Sequence, residues 1–223
     1  MRNFISGSKT LYETETEFNG RIFVKEDNLG VLRVICGGPT QSISPDSKKV
    51  NELFWGKIIE YMLQNSIEPK KVLILGFCAG TFAHMLNNRF EGIDITGVEI
   101  DSKMLDIAKD FFKIDKIKNL KLVVADAFDF VKKDKEQYDF ILIDTYLGSN
   151  FPQYLASTEF IEHVKKRVTD DGVVIMNMLN TDKNKDTTNN LQSYMKRIFD
   201  IVERVNVKGM TISDNVLLIG KSK

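Results

Sequence analysis

The chain has 223 residues, with 31 Lys and Arg against 31 Asp and Glu, so its formal net charge is zero with neutral histidines. That balance argues against nucleic acid as a partner, because phosphate binding draws its non-specific affinity from a cationic excess. With 43% hydrophobic and 28% charged residues and only four prolines, the composition is globular rather than disordered or fibrous, and no apolar run approaches the roughly 18 residues of a membrane span.

The first residues, Met1 to Lys9, contain no apolar stretch of secretory length, which places the protein in the cytoplasm. Phe18 to Val24 and Val31 to Cys36 are short β-branched and aromatic runs separated by the turn-prone segment from Lys25 to Gly30, a hairpin pattern. Gly37-Gly38-Pro39 breaks the chain, and Leu53, Phe54, Ile58, Tyr61 and Met62 then recur at helical spacing. Cys36 and Cys78 are too few for a disulfide framework, and with His84 and His163 they form no metal-ligand spacing.

From Lys71 onward the pattern alternates. Val72 to Leu75 is an apolar run followed by a small-residue turn and a helix carrying Phe82, Met85 and Leu86. The unit recurs at Ile95 to Ile100, with a helix bearing Leu105, Ala108, Phe111 and Phe112, and then at Leu122 to Val124, Phe140 to Ile143 and Val173 to Met176. Strands apolar on both faces, alternating with amphipathic helices, specify an α/β doubly wound, mostly parallel sheet covered on both sides. Thr181 to Asn190 reads as a polar loop before a last helix with Leu191, Tyr194, Met195, Ile198 and Phe199. Too little chain joins Arg204–Val207 to Asn215–Gly220 for a parallel crossover, so an antiparallel final strand completes a seven-stranded sheet. The division expected is a small β domain over 1–50 and an α/β domain over 51–223.

Ligands in open α/β sheets bind at the carboxyl ends of the strands. The first strand ends in Gly76-Phe77-Cys78-Ala79-Gly80, a turn that lets backbone approach a ligand, although a packing role explains it equally. The second ends in Glu99, placed to accept hydrogen bonds from ribose hydroxyls, with Asp101 reading as a helix cap. The third ends in Ala125-Asp126-Ala127 and the fourth in Asp144-Thr145-Tyr146. Four such ends converging on one crevice point to a nucleoside site. Two nucleoside cofactors remain: NAD generally wants the full glycine fingerprint, and only two glycines stand in this turn, whereas S-adenosylmethionine has no phosphate and its sulfonium better suits a crevice ringed with carboxylates.

Val72-Leu73-Ile74-Leu75-Gly76, Val98-Glu99-Ile100-Asp101, Ala125-Asp126-Ala127 and Tyr138 to Asp144 resemble the spermidine synthase family, which shares its fold with S-adenosylmethionine-dependent methyltransferases. Leu11 to Val24 and Gly38-Pro39-Thr40-Gln41-Ser42 look like that family's small β domain, so the resemblance runs from about Leu11 to Asn177. It implies that Glu99, with Ile100, binds the ribose, Asp126 and Ala127 the adenine, and Gly76, Phe77, Cys78 and Gly80 the sulfur-bearing chain. It also implies that Asp144 lies near the amino group or the transferred carbon, that Gln41 and Asn19 reach in from the β domain, and that the protein is a homodimer.

The departures bear on the reaction. The family's fourth-strand run is Asp-Ser-Ser-Asp, its second Asp serving as the base; here Leu147 stands in that place. An Asp of the family's glycine turn is replaced by Ala79, and a stretch lining the polyamine channel matches Trp55-Gly56-Lys57, whose lysine would repel a polyamine. Methyl transfer from S-adenosylmethionine to a small molecule is therefore expected, with Asp144 and Tyr146 nearest the acceptor. The alternatives are aminopropyl transfer from decarboxylated S-adenosylmethionine to putrescine, and a nucleoside-binding protein without catalysis. RNA methylation would need the basic runs Lys132-Lys133-Asp134-Lys135 and Lys165-Lys166-Arg167, which read as solvated faces.

Overall fold

A computed structural model describes residues 7–209 and 214–222; residues 1–6, part of the segment read above for a secretory signal, lie outside the described residues. Four antiparallel strands open the chain, β1 (Lys9–Thr16), β2 (Gly20–Glu26), β3 (Leu32–Cys36) and β4 (Thr40–Ile43), paired in that order. The expected hairpin is β2–β3, in register from Ile22 opposite Cys36 to Glu26 opposite Leu32. Its first strand starts later than Phe18, because the chain turns back from β1 at Gly20, whose φ of +61° suits glycine. β1 carries no apolar alternation to mark it, since most of its side chains are exposed.

Helix α1 (Phe54–Gln64) buries Phe54, Ile58 and Met62, the positions that its spacing singled out. The alternation then runs β5 (Lys71–Leu75), α2 (Thr81–Arg89), β6 (Asp94–Glu99), α3 (Ser102–Phe112), β7 (Leu120–Val124), α4 (Ala127–Lys133), β8 (Tyr138–Ile143), α5 (Thr158–Arg167) and β9 (Val168–Asn180). After α6 (Asp182–Ile198), the chain ends in β10 (Ile201–Val207) and β11 (Asp214–Lys221). The seven strands lie in the order β10-β11-β9-β8-β5-β6-β7, with β5 to β9 parallel and β11 antiparallel to both its neighbours. Val72 and Ile74 enter one buried cluster and Leu73 and Leu75 the other, which is why this strand is apolar throughout.

One expectation fails. Thr181 to Asn190 is not a loop, because α6 begins at Asp182. Two of its polar residues, Asn184 and Thr188, are buried with their bonds made: the Asn184 amide donates to the Leu179 carbonyl and the Thr188 hydroxyl to the Asn184 carbonyl. Hydrogen bonding to backbone substitutes for the apolar stripe that the pattern lacked.

Strand order reverses at β5, which the chain leaves first toward β6 and β7 and then toward β8. The carboxyl ends splay there and open a crevice. No helix among the described residues is long and apolar enough to cross a membrane.

Candidate active site

The turn after β5 exists because Gly76 stands at φ +85°, where a Cβ would meet the Asp144 carbonyl oxygen at 2.3 Å. Only glycine lets the ends of β5 and β8 approach so closely. The turn is satisfied internally: the N–H groups of Gly76 and Phe77 donate to the Val98 carbonyl, Gly80 to Phe77, Cys78 to Glu99 Oε2 at 2.8 Å and Ala79 to Ser42 Oγ at 3.2 Å. Burial pushes the Cys78 thiol well above its ordinary range, so it remains protonated.

Glu99 is 8% exposed and accepts N–H groups from Cys78 and from Asp101, the latter at 3.1 Å. Burial nevertheless prevails over these bonds and pushes its carboxyl up to about 7. Asp101 caps α3 as expected, through Lys103 N–H at 3.0 Å. Its other oxygen accepts from Thr16 Oγ1 at 2.6 Å and Asn19 Nδ2 at 2.8 Å. Asn19 Oδ1 in turn accepts the Gly148 N–H, and Gln41 Nε2 donates to the Gly148 carbonyl at 2.6 Å. These bonds fasten the small sheet over the crevice. Asp126 caps α4 through the N–H groups of Phe128 and Asp129, and its second oxygen accepts the Tyr154 hydroxyl.

At the far end stands Asp144, with burial pushing its carboxyl up to about 6 against a bond from Asn177 Nδ2 at 2.8 Å. The Tyr146 hydroxyl donates to the Asn177 carbonyl at 3.3 Å and accepts from Leu179 N–H at 2.8 Å. Both of its hydrogen bonds therefore go to the backbone of β9, and its ring meets Phe151 edge-on. Thr145 Oγ1 is buried without a partner.

The resulting cavity, open to solvent on one side, has a volume of about 570 Å³. Of the residues expected there, Asn19, Gln41, Gly76, Cys78, Glu99, Ile100, Asp126, Ala127, Asp144 and Tyr146 line it. Phe77 does not, because its ring packs where a Cβ on Gly97 would lie, and Gly80 serves instead as the N-cap of α2 at φ +82°. Lys57 also departs from expectation: it is exposed, pairs with Glu60 and faces neither this cavity nor the next. A smaller cavity of about 260 Å³ adjoins across Gln41, Gly76, Cys78 and Asp144, bounded by Trp55 and the first turn of α2. Among the described residues, three carboxylates and no Lys, Arg or His line the larger cavity. Sequence reasoning missed Tyr154, Asn177 and Asn215. Asn177, polar between Met176 and Met178 of β9, offered a signal by itself, whereas Asn215, next to Asp214 at the start of β11, offered none.

A model of the spermine/spermidine synthase domain matches residues 56–219. A Bifidobacterium longum protein named a probable polyamine aminopropyl transferase is 34% identical over 106 residues, 48% of this chain and 23% of its own length. A Drosophila melanogaster homolog of the eEF1A lysine and N-terminal methyltransferase is 27% identical over 150 residues, 61% of this chain and 22% of its own. The chain thus spans less than a quarter of either relative. The crystal structure of spermidine synthase from Thermotoga maritima superposes with a TM-score of 0.76 at 17% identity, over 96% of this chain and 73% of that one.

Proposed function

The chain belongs to the spermine/spermidine synthase family, and from that premise we propose that it is a transferase taking a sulfonium nucleoside, S-adenosylmethionine, as donor and methylating a small-molecule acceptor. The observation that carries the sulfonium donor is the lining of the larger cavity, where Glu99, Asp126 and Asp144 stand with no Lys, Arg or His of the described residues, and the choice of methyl transfer rests on the uncapped N-terminus of α2 beside it. The field of the three carboxylates favours a sulfonium. Glu99 is assigned to the ribose hydroxyls, since accepting them would offset its burial. Asp126 and Ala127 take the adenine, Gly76 and Cys78 of the turn after β5 the sulfur-bearing chain, and Asn19 and Gln41 close the roof.

Asp144 accepts the donor's ammonium. No side chain caps the N-terminus of α2, and its residues Thr81 to Ala83 border the adjoining cavity. Helix N-termini favour anions, so this turn suits the α-carboxylate that distinguishes S-adenosylmethionine from its decarboxylated form. An acid in the place of Ala79 would repel that group. When bound, the donor supplies a carbon activated by a thioether leaving group. What the protein contributes is orientation and a carboxylate-lined wall, with Tyr146 as part of that wall beside the acceptor.

Aminopropyl transfer is the second reading. It is favoured by the name of the Bifidobacterium longum relative and by the absence of any cation lining the larger cavity, which suits the more positive, decarboxylated donor. Asp144 would then take the proton of the attacking amine. Calorimetry with S-adenosylhomocysteine and 5′-methylthioadenosine, followed by turnover with both donors, separates the two. The methyl reading expects S-adenosylhomocysteine to bind at least about tenfold tighter, roughly 1.4 kcal/mol. Spermidine formed from putrescine at an enzymatic rate would replace it with the second reading, and tight binding without any turnover would leave a nucleoside-binding protein. The same proposal includes a homodimer, which light scattering measures directly.

A further inference from the structure

We propose that Asn177 and Asn215 are a positioning pair that aims the Asp144 carboxylate into the cavity and keeps it ionised. Three strands bring the residues to one level of the sheet edge. Ile143 of β8 lies beside Met176 of β9, so Asp144 emerges next to Asn177. Because β11 runs antiparallel, its first residues lie at the carboxyl edge of the parallel strands. Leu217 is opposite Asn177, which places Asn215 diagonal to Asn177 on the same face.

The hydrogen bonds form a directed chain. Asn215 Nδ2 donates to Asn177 Oδ1 at 2.9 Å, and Asn177 Nδ2 donates to Asp144 Oδ1 at 2.8 Å. An ionised carboxylate only accepts, so Asn177 must turn its NH₂ toward Asp144. Its oxygen then faces Asn215, which must present its own NH₂. Asn177 is 2% exposed and Asn215 7%, so water competes little for either amide. Tyr146 fixes the β9 backbone around the pair, bonded at Asn177 and at Leu179.

Among the described residues, Asn177 is the side chain that donates to Asp144. The titratable groups around it are Tyr146 on its own loop, Cys78 on the glycine turn, Glu99 and Asp126 at the ends of their strands, and Tyr154 beside Asp126. All of them are neutral or anionic, and among the described residues no Lys, Arg or His lines either cavity. Burial pushes the Asp144 carboxyl up, and the bond from Asn177 pulls it back down. A protonated Asp144 could neither hold an ammonium nor take a proton. The chemical role of Asp144 rests on the proposed transferase reading, whereas its hydrogen bonding does not.

The test is a carboxyl ¹³C NMR titration of Asp144 in the intact chain, with Asp144→Asn identifying its signal and circular dichroism following the fold. In the parent the midpoint is expected near 6. In Asn177→Leu, and in the double variant Asn177→Leu/Asn215→Leu, it should rise by about one unit or more. The double variant strands no buried amide, so it keeps the measurement possible if the single one unfolds. Asn215→Leu should raise the midpoint less, because Asn177 loses its lock but keeps its reach. A midpoint unmoved in a folded double variant overturns the proposal, even if the parent is an active transferase. A midpoint that moves as stated in a parent with no turnover supports the pair and removes the transferase reading instead.

Discussion

The two ends of the cavity hold their acids by different means. At the nucleoside end, Glu99 and Asp126 accept backbone N–H groups from residues within a few positions or from the neighbouring turn. At the other end, Asp144 is held by the side chain of Asn177, backed by Asn215 from a strand near the end of the chain. Backbone donors come with the fold, and no substitution short of proline removes them. An amide contributed by a distant strand can be lost in one step, so the second end is where this scaffold can change its chemistry without changing its shape.

That contrast breaks down if the two ends respond alike to loss of charge. Asp144→Asn keeps the shape and removes the acid at the end with the fewest compensating donors. It is expected to lower kcat/KM about a hundredfold, close to 3 kcal/mol for a buried charge-assisted contact. The measurement is release of the product nucleoside, compared with the parent at one pH. A loss of less than about threefold would place the reacting end elsewhere.

Glu99→Gln sharpens the comparison, because affinity and stability should move in opposite directions. Losing the charge-assisted bonds to a ribose should weaken nucleoside binding about tenfold. The folded protein raises this carboxyl from 4.5 to about 7, so the native state binds the proton more tightly than the unfolded one. Stability is therefore greatest at low pH and falls as pH rises from about 4.5 to about 7, by up to about 3 kcal/mol. Thermal melts of the ligand-free protein should show that decline in the parent and a flatter curve in Glu99→Gln. Asp144 adds a smaller decline of the same sign, from 3.8 to about 6, in both proteins. If the two curves coincide, Glu99 is already solvated or paired and the acidic end is not strained.

The same contrast explains what the sequence disclosed. β5 to β9 were legible because each is an apolar run between helices with a periodic face, and Glu99, Asp126 and Asp144 because they stand where such runs stop. Asn19 and Gln41 came with the family resemblance, not with any local pattern. The asparagine pair was illegible, since its meaning depends on β11 pairing with β9, a tertiary fact. The first half of α6 was misread for a related reason: its buried Asn184 and Thr188 are satisfied by backbone oxygens and leave no apolar period. Lys57 was misplaced by aligning a motif without knowing which face of α1 it occupies.

The smallest expected effect tests whether the nucleoside end is fully ready to bind. The Tyr154 hydroxyl donates to Asp126 Oδ2, the oxygen left free once the other has capped α4. An adenine amino group would need that same oxygen, so ligand and tyrosine compete for one acceptor. Tyr154 is 48% exposed, and an exposed hydrogen bond of this kind is worth little net free energy. Tyr154→Phe should thus tighten nucleoside binding by about two- to threefold, roughly 0.5 kcal/mol, with the Asp126 cap and the melting temperature preserved. Calorimetry with S-adenosylhomocysteine reads this directly. Weaker binding in Tyr154→Phe would mean that the hydroxyl supports the ligand through Asp126 rather than competing with it, and the nucleoside end, like the far end, would then depend on a borrowed side chain.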